Sequence, residues 1–539
     1  MDWWLALRSP GKVDGIFAPV RLFPVLGLAL FACMALSYPL SDTDIWWHLA
    51  AGREICRTGH LLWADHFCLS SLGAPWTDLH WGFQLAVWKL WTLLGNRGLV
   101  FLRIALPLAA VLVAMGRRLS WPTAWAACLG IWILRPFVDA RPLLFSLFLL
   151  ATIQFALEAS PRWGKRVAAL SILGCQVFLV NVQGLFLLGP LLVAGYATGD
   201  WLEGRRRDAL EKFALVAGML LASLANPYGF HAFDLAVRIA GRIAPVATNP
   251  FSSEIPENAP LWNWIADDPR RLVPLAWFAS AVAVLWRPGA GSRGRTLLLA
   301  GTAILAAIAV RNLPLLCLEA AFCVDPSRRN PLIRIWTISA SAVVASLLLV
   351  SAFQKRWDLG DSWIAPFRLP GNSALSRIRA SDAPVFHEVR AGGWIWWNSD
   401  IAGRCWADTR LVLHDQEFLS GYLDVVDHPG RFPAYSKRWN FGFALLPVVE
   451  FPRFHPLAAF LMRSPDWTLV DCDGAWALFR RRDADGIPRD AISADSISAW
   501  LTRRFDGNPL LESEAREATL SFFRAGGRDD LARAWTSLR

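Results

Sequence analysis

Apolar segments alternate with short polar segments over residues 1–352 of the chain. The first apolar segment, residues 22–40, is long enough to cross a bilayer as a helix. A series of such segments is typical of a polytopic α-helical membrane protein, so we predict about eleven transmembrane helices in this part of the chain. The ten further apolar segments are residues 98–116, 121–135, 142–158, 167–181, 184–199, 210–225, 272–286, 296–310, 313–324 and 333–352.

The outer loop that follows the first segment, residues 41–97, ends in the apolar segment Trp81–Leu94. This segment is short for a membrane crossing and rich in tryptophan, so we predict a juxtamembrane helix at the interface. With that choice, the arginine clusters of the later loops all fall on the side of the basic N-terminus, in agreement with the positive-inside rule. We therefore predict a cytoplasmic N-terminus, an outer C-terminus and no cleavable signal peptide.

The composition becomes mixed after residue 352. Short strand-like runs alternate there with helical patterns, which predicts a small extracytoplasmic α/β domain over residues 353–486 and a helical tail over residues 487–539. One turn of this domain carries Asp408, His414 and Asp415, and polar clusters in turns are usually at the surface. Strands are predicted at residues 385–389, 393–397, 467–471 and 476–479, and helices at residues 413–425 and 454–462.

Charge and cysteine content narrow the class of protein further. The net charge of +10 could indicate a nucleic-acid partner, but in a chain that is 55% hydrophobic the excess of Lys and Arg is better explained by cytoplasmic loops. We therefore expect membrane lipid, and no nucleic acid, as a partner.

Disulfides form outside the cytoplasm, where four of the nine cysteines are predicted to lie, although spacing alone fixes no connectivity. The candidate pairs are Cys56 with Cys68 and Cys405 with Cys472.

Polar motifs collect on the predicted outer side of the membrane domain. Asp44 and His48 follow the first apolar segment directly and share one helix face, because they are four residues apart. Ionisable groups at that depth are costly and are usually functional. The other outer candidates are Asp139 and Arg141 in residues 135–142, Arg311, and Glu254 in the long loop 226–271.

A family resemblance rests on the block Asp44-Ile45-Trp46-Trp47-His48-Leu49-Ala50-Ala51-Gly52, the segment Asp139-Ala140-Arg141-Pro142 and the turn Asn226-Pro227-Tyr228-Gly229. With these motifs, the chain resembles bacterial membrane glycosyltransferases of the C fold (GT-C). That superfamily includes protein mannosyltransferases, oligosaccharyltransferases and aminoarabinose transferases. It has one acidic residue after the first span and a second acidic motif after the third, and Asp44 and Asp139 match these places. Two positions depart from the pattern, since Ile45 replaces the usual Thr and Gln183 the usual His.

The resemblance implies an inverting transfer of a sugar from a polyprenyl-phosphate donor to a glycan, lipid or protein acceptor on the outer face of the bacterial inner membrane. Asp44 would be the base or a metal ligand, and Asp139 a second carboxylate for metal or acceptor. Arg141 and Arg311 suit the donor phosphate because of their planar donor fork. A divalent cation, Mg²⁺ or Mn²⁺, could assist the leaving group. The two remaining candidates, His48 and Glu254, would line the site.

Each of these residues also has a purely structural explanation. Ser41 and Asp44 fit a capping box, in which Asp44 would serve only the N-terminus of a helix. Asp139 could form an ion pair at a helix end with Arg135 or Arg141. Arg103, early in a span, could pair with a carboxylate or a lipid phosphate. For the others the explanations are an aromatic belt for Trp46 and Trp47, an interfacial hydrogen bond for His48, a snorkelling side chain for Arg311, and a solvated surface for Glu254.

Three other functions are compatible with the same sequence. A transporter or flippase for lipid-linked glycans would place its polar groups at the membrane midplane and often shows paired repeats, which are not evident in the sequence. A non-catalytic membrane subunit of an envelope polysaccharide or secretion assembly would share this sequence pattern. An O-antigen ligase or polymerase would perform a related transfer from a lipid-diphosphate donor.

Overall fold

The computed structural model of the chain describes residues 19–243, 250–286, 292–325, 331–353, 363–365, 367–399, 403–482, 492 and 509–537. The chain divides into two compact units. The predicted boundary at residue 352 does not separate them, because residues 39–99 and 230–255 belong to the same unit as the C-terminal α/β domain. The first unit contains residues 1–38, 100–229 and 256–358, and the second contains residues 39–99, 230–255 and 359–539.

The first unit is built from helices, and each of the eleven predicted apolar segments forms one. Helices are numbered along the chain from α1 to α23. Between α14 and α15 the chain makes one 3₁₀ turn, Val310–Asn312. The helices of this unit are α1 (Pro19–Leu36), α4 (Asn96–Met115), α5 (Trp121–Leu134), α6 (Leu143–Trp163), α7 (Lys165–Val182), α8 (Leu188–Leu202), α9 (Arg206–Ala222), α12 (Leu261–Asp267), α13 (Leu272–Leu285), α14 (Ser292–Ile308), α15 (Leu313–Cys323) and α16 (Pro331–Phe353).

Four of these helices, α4, α6, α7 and α16, are long and apolar enough to cross a membrane among the residues that the structure describes. The predicted count of eleven crossings is therefore not confirmed. The physical reason is length: a crossing needs about 20 residues, whereas α15, for example, has 11. The apolar character of these helices still marks the unit as a membrane-type helical domain.

The second unit holds a four-stranded sheet surrounded by short helices. The strand order is β1-β2-β4-β3, in which β1 and β2 are parallel and the other pairs antiparallel. The strands are β1 (Val385–His387), β2 (Phe443–Pro447), β3 (Trp467–Cys472) and β4 (Trp476–Arg481). The helices are α2 (Asp44–Thr58), α3 (Trp81–Leu94), α10 (His231–Ile243), α11 (Pro250–Ser253), α17 (Asn372–Arg379), α18 (Gly392–Ser399), α19 (Gln416–Asp427), α20 (Phe432–Trp439), α21 (His455–Arg463), α22 (Pro509–Ala525) and α23 (Asp529–Ser537).

Most of the predicted elements of this unit are present, with two exceptions. The run 393–397 was predicted as a strand but lies in helix α18, so that prediction is wrong. The central strand β2 was not predicted, because all five of its residues are buried and show no alternation of polar and apolar positions. Helix α3 has the predicted bounds, and its 14 residues agree with the prediction that this segment is too short for a crossing.

Two glycines allow helices to pack closely against α2. A Cβ atom at Gly52 would lie 2.3 Å from the carbonyl oxygen of Gln84 in α3, and one at Gly393 would lie 2.9 Å from the backbone nitrogen of Trp47. Because α18 approaches α2 so closely, Trp46 and Trp47 are only 2% and 6% exposed. They are therefore core residues, and the predicted aromatic belt is wrong for this pair.

We expect Gly52→Ala to lower the free energy of unfolding of the second unit by about 1–3 kcal/mol, since backbone must move to admit the methyl group. Denaturant unfolding followed by tryptophan fluorescence would measure this loss. Gly421→Ala is the matched control, because Gly421 is also helical but a Cβ atom there meets nothing within 4 Å. That variant should be neutral or stabilised by up to about 1 kcal/mol, and equal losses in both would contradict the packing argument.

Candidate active site

Asp44 is the first residue of α2, in the second unit. Its backbone N–H donates to Oδ1 of Asp42 at 3.1 Å, and the N-cap residue is Thr43 rather than Ser41. The Asp44 side chain is half-buried, and its carboxylate has no hydrogen bond or ion pair among the described residues. The positive end of the helix dipole favours an anionic group at this place. The result is a carboxylate held at a helix N-terminus with its oxygens uncommitted to other described side chains.

His48 lies one turn further along α2 and is 2% exposed. Its ring packs among aromatic side chains, with ring centroids 3.5 Å from Trp47, 5.5 Å from His80 and 4.8 Å from Phe83. Nδ1 of His80 lies 3.7 Å from Oδ1 of the buried Asp78. His80 thus contacts the His48 ring and Asp78 lies next to His80, and neither residue was predicted to belong to the site. The only signal for them in the sequence is their position directly before α3.

Asp139, in the first unit, is an ion-pair partner. Its Oδ1 accepts hydrogen bonds from Nη1 of Arg103 at 2.9 Å and from the backbone N–H of Ala140 at 2.9 Å. Arg103 is fully buried and also donates to the carbonyl oxygens of Leu36, at 3.0 Å, and Tyr38. This guanidinium therefore ties the end of α1 to the turn between α5 and α6. Asp139 therefore does form an ion pair at a helix end, and Arg103 is a partner that neither neighbouring arginine, Arg135 or Arg141, would have suggested.

Arg141 and Arg311 reach the same short turn of the first unit, Pro256–Asn258. Nη1 of Arg141 donates to Oε1 of Glu257 at 2.5 Å, and Nη1 of Arg311 donates to Oδ1 of Asn258 at 2.9 Å. The backbone N–H of Val310 holds this turn in place by donating to the carbonyl oxygen of Ala259 at 2.9 Å. The fold thus brings two guanidinium groups, both predicted to bind phosphate, to the adjacent residues Glu257 and Asn258. The two arginines are 170 positions apart in the sequence.

Glu254 lies in the second unit and forms an ion pair with Arg453. Nε and Nη2 of Arg453 also donate to the two carboxylate oxygens of Asp427, each at 2.6 Å. All three side chains are about one third exposed. The structure therefore places Glu254 in a surface ion cluster, and its role in lining a substrate site stays a prediction.

The predicted disulfides are not formed. The structure shows all four cysteines as thiols; Cys56 is exposed, whereas Cys68, Cys405 and Cys472 are buried. The neighbour of Cys68 is Cys405, its partner in a parallel β-bridge. Sequence spacing could not predict this contact, because it joins residues 337 positions apart and depends on tertiary packing.

The polar turn predicted at the surface is buried, so that prediction is wrong for Asp408 and His414. Asp408 is 1% exposed, and Arg410 binds both it and the buried Asp65, with Nη2 at 2.8 Å from Oδ1 of Asp65 and Nε at 2.8 Å from Oδ2 of Asp408. Burial raises the pKa of Asp408. The ring of His414 stacks on Phe418. The ion pairs and hydrogen bonds with Arg410 offset the cost of burying the two carboxylates.

The candidate residues are divided between the two units. Asp44, His48 and Glu254 belong to the second unit, and Asp139, Arg141 and Arg311 to the first. Within the first unit, Asp139 and Arg141 share one turn, and Arg141 and Arg311 share the Pro256–Asn258 turn. The convergence of Asp44 with Asp139 stays a prediction. In the described part of the chain, no group of three His, Cys, Asp or Glu side chains is placed to hold a metal ion.

No protein-family model and no curated protein matches the chain. Solved structures do. The archaeal oligosaccharyltransferase AglB from Archaeoglobus fulgidus, in complex with an inhibitory peptide and a dolichol-phosphate, superposes with a TM-score of 0.54 at 10% identity, over 87% of this chain and 75% of that chain.

Two further structures of an oligosaccharyltransferase from the same organism are similar to the chain. The apo form gives a TM-score of 0.50 at 11% identity, over 91% of this chain and 76% of that chain. The complex with Zn and sulfate gives 0.50 at 12% identity, over 96% and 86%. The chain therefore has the fold of these oligosaccharyltransferases. This agrees with the fold that the resemblance to GT-C glycosyltransferases implies.

Proposed function

We propose that the protein is a membrane glycosyltransferase that moves a sugar or glycan from a polyprenyl-phosphate donor to an acceptor outside the cytoplasm. The observation that carries the proposal is the meeting of Arg141 and Arg311 at the Pro256–Asn258 turn, in a chain with an oligosaccharyltransferase fold. Dolichol-phosphate, which is bound in the similar AglB structure, belongs to the same chemical class as the proposed donor. A bacterial inner membrane, with the second unit in the periplasm, is the proposed location.

The two arginines are the proposed contacts for the donor phosphate. Arginine presents a rigid fork of N–H donors that fits phosphate oxygens, and such charge-assisted hydrogen bonds are stronger than neutral ones. In the structure, Arg141 already binds an anion there, the carboxylate of Glu257, with both side chains a little over a quarter exposed. A phosphate at this turn would replace that carboxylate as the partner of Arg141, while Arg311, which binds the adjacent Asn258, would supply a second guanidinium.

A small apolar cavity of about 30 Å³ lies between helices of the first unit, and its lining suits the hydrocarbon of a lipid-linked donor. Helices α4, α5, α13 and α15 all contribute to its wall. Burying hydrocarbon against such a lining is favourable by about 25 cal/mol per Å² of apolar surface, so we propose that these helices part to admit an isoprene unit of the donor tail. The lining includes Pro107, Ala127, Phe278, Pro314 and Leu318.

The reaction needs a base and stabilisation of the leaving group. We propose that the Asp44 carboxylate takes the proton of the acceptor hydroxyl or amide as that atom attacks the anomeric carbon. The bond from the anomeric carbon to the phosphate oxygen breaks, its electron pair stays on the phosphate, and Arg141 and Arg311 stabilise that charge. Inversion at the anomeric carbon follows from a single displacement. Asp139, oriented by Arg103, is proposed as the second carboxylate.

A divalent cation, Mg²⁺ or Mn²⁺, is proposed only as an accessory. Carboxylate oxygens are the ligands these ions prefer, and Asp44 and Asp139 would hold the ion. When bound, it would supply Lewis-acid stabilisation of phosphate charge. The described residues present no cluster of three such ligands. The roles proposed for Arg141 and Arg311 do not require the ion.

The proposal is tested with purified full-length protein in lipid nanodiscs and a radiolabelled polyprenyl-phosphate sugar. The expected result is release of polyprenyl phosphate together with label on an acceptor extract from cell envelopes. Lipid release without labelled acceptor would indicate hydrolysis. Donor movement between leaflets of a vesicle without bond cleavage would contradict the proposal and favour a flippase.

We expect Arg311→Ala to raise the KM for the donor about 10- to 100-fold, because a hydrogen bond to a charged group contributes about 1.5–3 kcal/mol. Arg311→Lys keeps the charge but loses the fork, so its KM should lie between those of the wild type and Arg311→Ala. Initial rates at varied donor concentration measure both. Arg270→Ala is the control in the same unit, since Arg270 is 80% exposed and pairs with Asp268. Wild-type kcat and KM in Arg311→Ala, or a loss explained entirely by a smaller amount of folded protein, would contradict a contact between Arg311 and the donor phosphate.

A further inference from the structure

Two cysteines of the second unit lie side by side in positions suited to a disulfide. Cys68 and Cys405 are partners in a parallel β-bridge. Its hydrogen bonds run from the N–H of Gly403 to the carbonyl oxygen of Phe67, at 3.0 Å, and from the N–H of Leu69 to the carbonyl oxygen of Cys405, at 2.7 Å. Neighbouring strands are about 4.8 Å apart, and a disulfide spans Cα atoms roughly 4.4–6.8 Å apart. The backbone therefore already satisfies the main geometric requirement.

Cationic and hydrogen-bonding groups surround both sulfur atoms. Nε2 of His387 lies 3.1 Å from Sγ of Cys405, and Nη2 of Arg410 lies 3.5 Å from Sγ of Cys68. Both cysteines are 1% exposed. Burial alone would raise the pKa of the Cys405 thiol, but the hydrogen bond from the Cys68 thiol and the neighbouring His387 lower it to about 6. Burial raises the pKa of Cys68. One sulfur is thus prepared as a thiolate and its neighbour stays protonated.

We propose that Cys68 and Cys405 form a disulfide that fastens the segment after α2 to the α/β domain. With a disulfide oxidant such as glutathione disulfide, the Cys405 thiolate attacks one sulfur and releases one glutathione thiolate. The Cys68 sulfur then attacks Sγ of Cys405 in this mixed disulfide and displaces a second glutathione thiolate. The two protein protons, one from Cys68 and one held by His387, end on the two glutathione thiolates. Two thiols are oxidised and one glutathione disulfide is reduced to two glutathione molecules.

The disulfide would join two pieces of chain that only tertiary contacts hold together otherwise. Residues 65–76 lie against residues 403–410 through backbone hydrogen bonds, a Ser70 to Trp406 hydrogen bond of 2.6 Å and the Asp65–Arg410 ion pair. Cys56, exposed on α2, takes no part in this contact. The linkage therefore differs from both pairings predicted from spacing.

Peptide mapping of the full-length protein tests the linkage. The protein is first reduced, then equilibrated in detergent and a low urea concentration with glutathione couples from reducing to oxidising. Free thiols are trapped with N-ethylmaleimide in denaturant. As the oxidised fraction of glutathione rises, the labelled Cys68 and Cys405 peptides should be replaced by one cross-linked peptide. Labelling of both cysteines at every ratio, or a Cys68–Cys56 or Cys405–Cys472 cross-link, would overturn the proposal.

Thermal unfolding supplies a second readout that does not depend on a cross-linked peptide. The midpoint of the oxidised wild-type protein should fall when dithiothreitol is added, and the same fall is expected for the control Cys56→Ser. Cys68→Ser and Cys405→Ser should show midpoints that no longer respond to dithiothreitol, whatever their absolute values. A dithiothreitol response that persists in Cys405→Ser would contradict the assignment.

Discussion

Replacing Asp44 by asparagine is expected to lower the rate of sugar transfer at least about 100-fold, the usual contribution of a positioned general base. Asparagine has the same shape but cannot take a proton at neutral pH. The Asp44 carboxylate makes no hydrogen bond or ion pair with other described residues, so the fold should not depend on it. Single-turnover assays with radiolabelled donor, at equal amounts of folded protein, would measure the loss.

Asp424→Asn provides the comparison for that experiment. Asp424 is a carboxylate of the same unit, on the exposed side of α19, where it pairs with Arg431. Its replacement should leave transfer unchanged. If Asp44→Asn transferred sugar at the wild-type rate, Asp44 would be only a first-turn residue of α2, as the capping explanation holds, and the base would have to be sought elsewhere.

Arg410→Ala is expected to destabilise the second unit by about 3–5 kcal/mol, the usual cost of removing one partner from a buried ion pair. The variant would leave the carboxylates of Asp65 and Asp408 buried without their cation. The guanidinium also packs over the ring of Trp76, 4.4 Å from its centroid, so tryptophan fluorescence should report the change directly. Urea unfolding at neutral pH gives the free energy of unfolding.

The loss in Arg410→Ala should shrink at acid pH. Burial already raises the pKa of Asp408 above its unfolded value, and removing the cation raises it further. A carboxyl group with a raised pKa in the folded state favours folding below its unfolded pKa, and this contribution is lost as the pH rises through the folded pKa. The variant should therefore approach the wild type as the pH falls from 7 towards 4.

Arg453→Ala is the matched control, because Arg453 also binds two carboxylates, those of Asp427 and Glu254, but at a site about one third exposed. Exposed ion pairs contribute about 0–1 kcal/mol, so Arg453→Ala should lower the free energy of unfolding by no more than that amount. Comparable losses in Arg410→Ala and Arg453→Ala would show that burial is not what makes the Asp65–Arg410–Asp408 cluster important.

The sequence pattern predicted the helices well and the α/β unit less well. Hydropathy located every helix of the first unit except the short α12, because a long apolar stretch has few alternatives to a helix. It could not separate full crossings from shorter helices such as α15. In the second unit, the bulky aromatic run 393–397 looked like a strand, but Gly393 at its start allows it to pack as a helix against α2.

For the candidate site, local motifs selected residues but not their partners. The sequence suggests Arg103 only as a residue that could pair with a carboxylate or a lipid phosphate. In the structure its guanidinium binds and orients the Asp139 carboxylate. Glu257 and Asn258 had no motif of their own, and only the fold shows that two distant arginines meet there. Partners of this kind are fixed by tertiary packing, which no spacing rule encodes.

The Arg103 contacts affect how any mutational scan of this chain is interpreted. One guanidinium serves a carboxylate and two carbonyl oxygens at once, and lysine cannot reproduce that fork. Loss of Arg103 or of Asp139 alone leaves the other charge buried without a partner. Single replacements would therefore lower activity through misfolding even if neither side chain contacts a substrate. Replacing both with apolar side chains removes this mutual dependence. Only that double variant separates a side chain retained for its neighbour from one retained for chemistry.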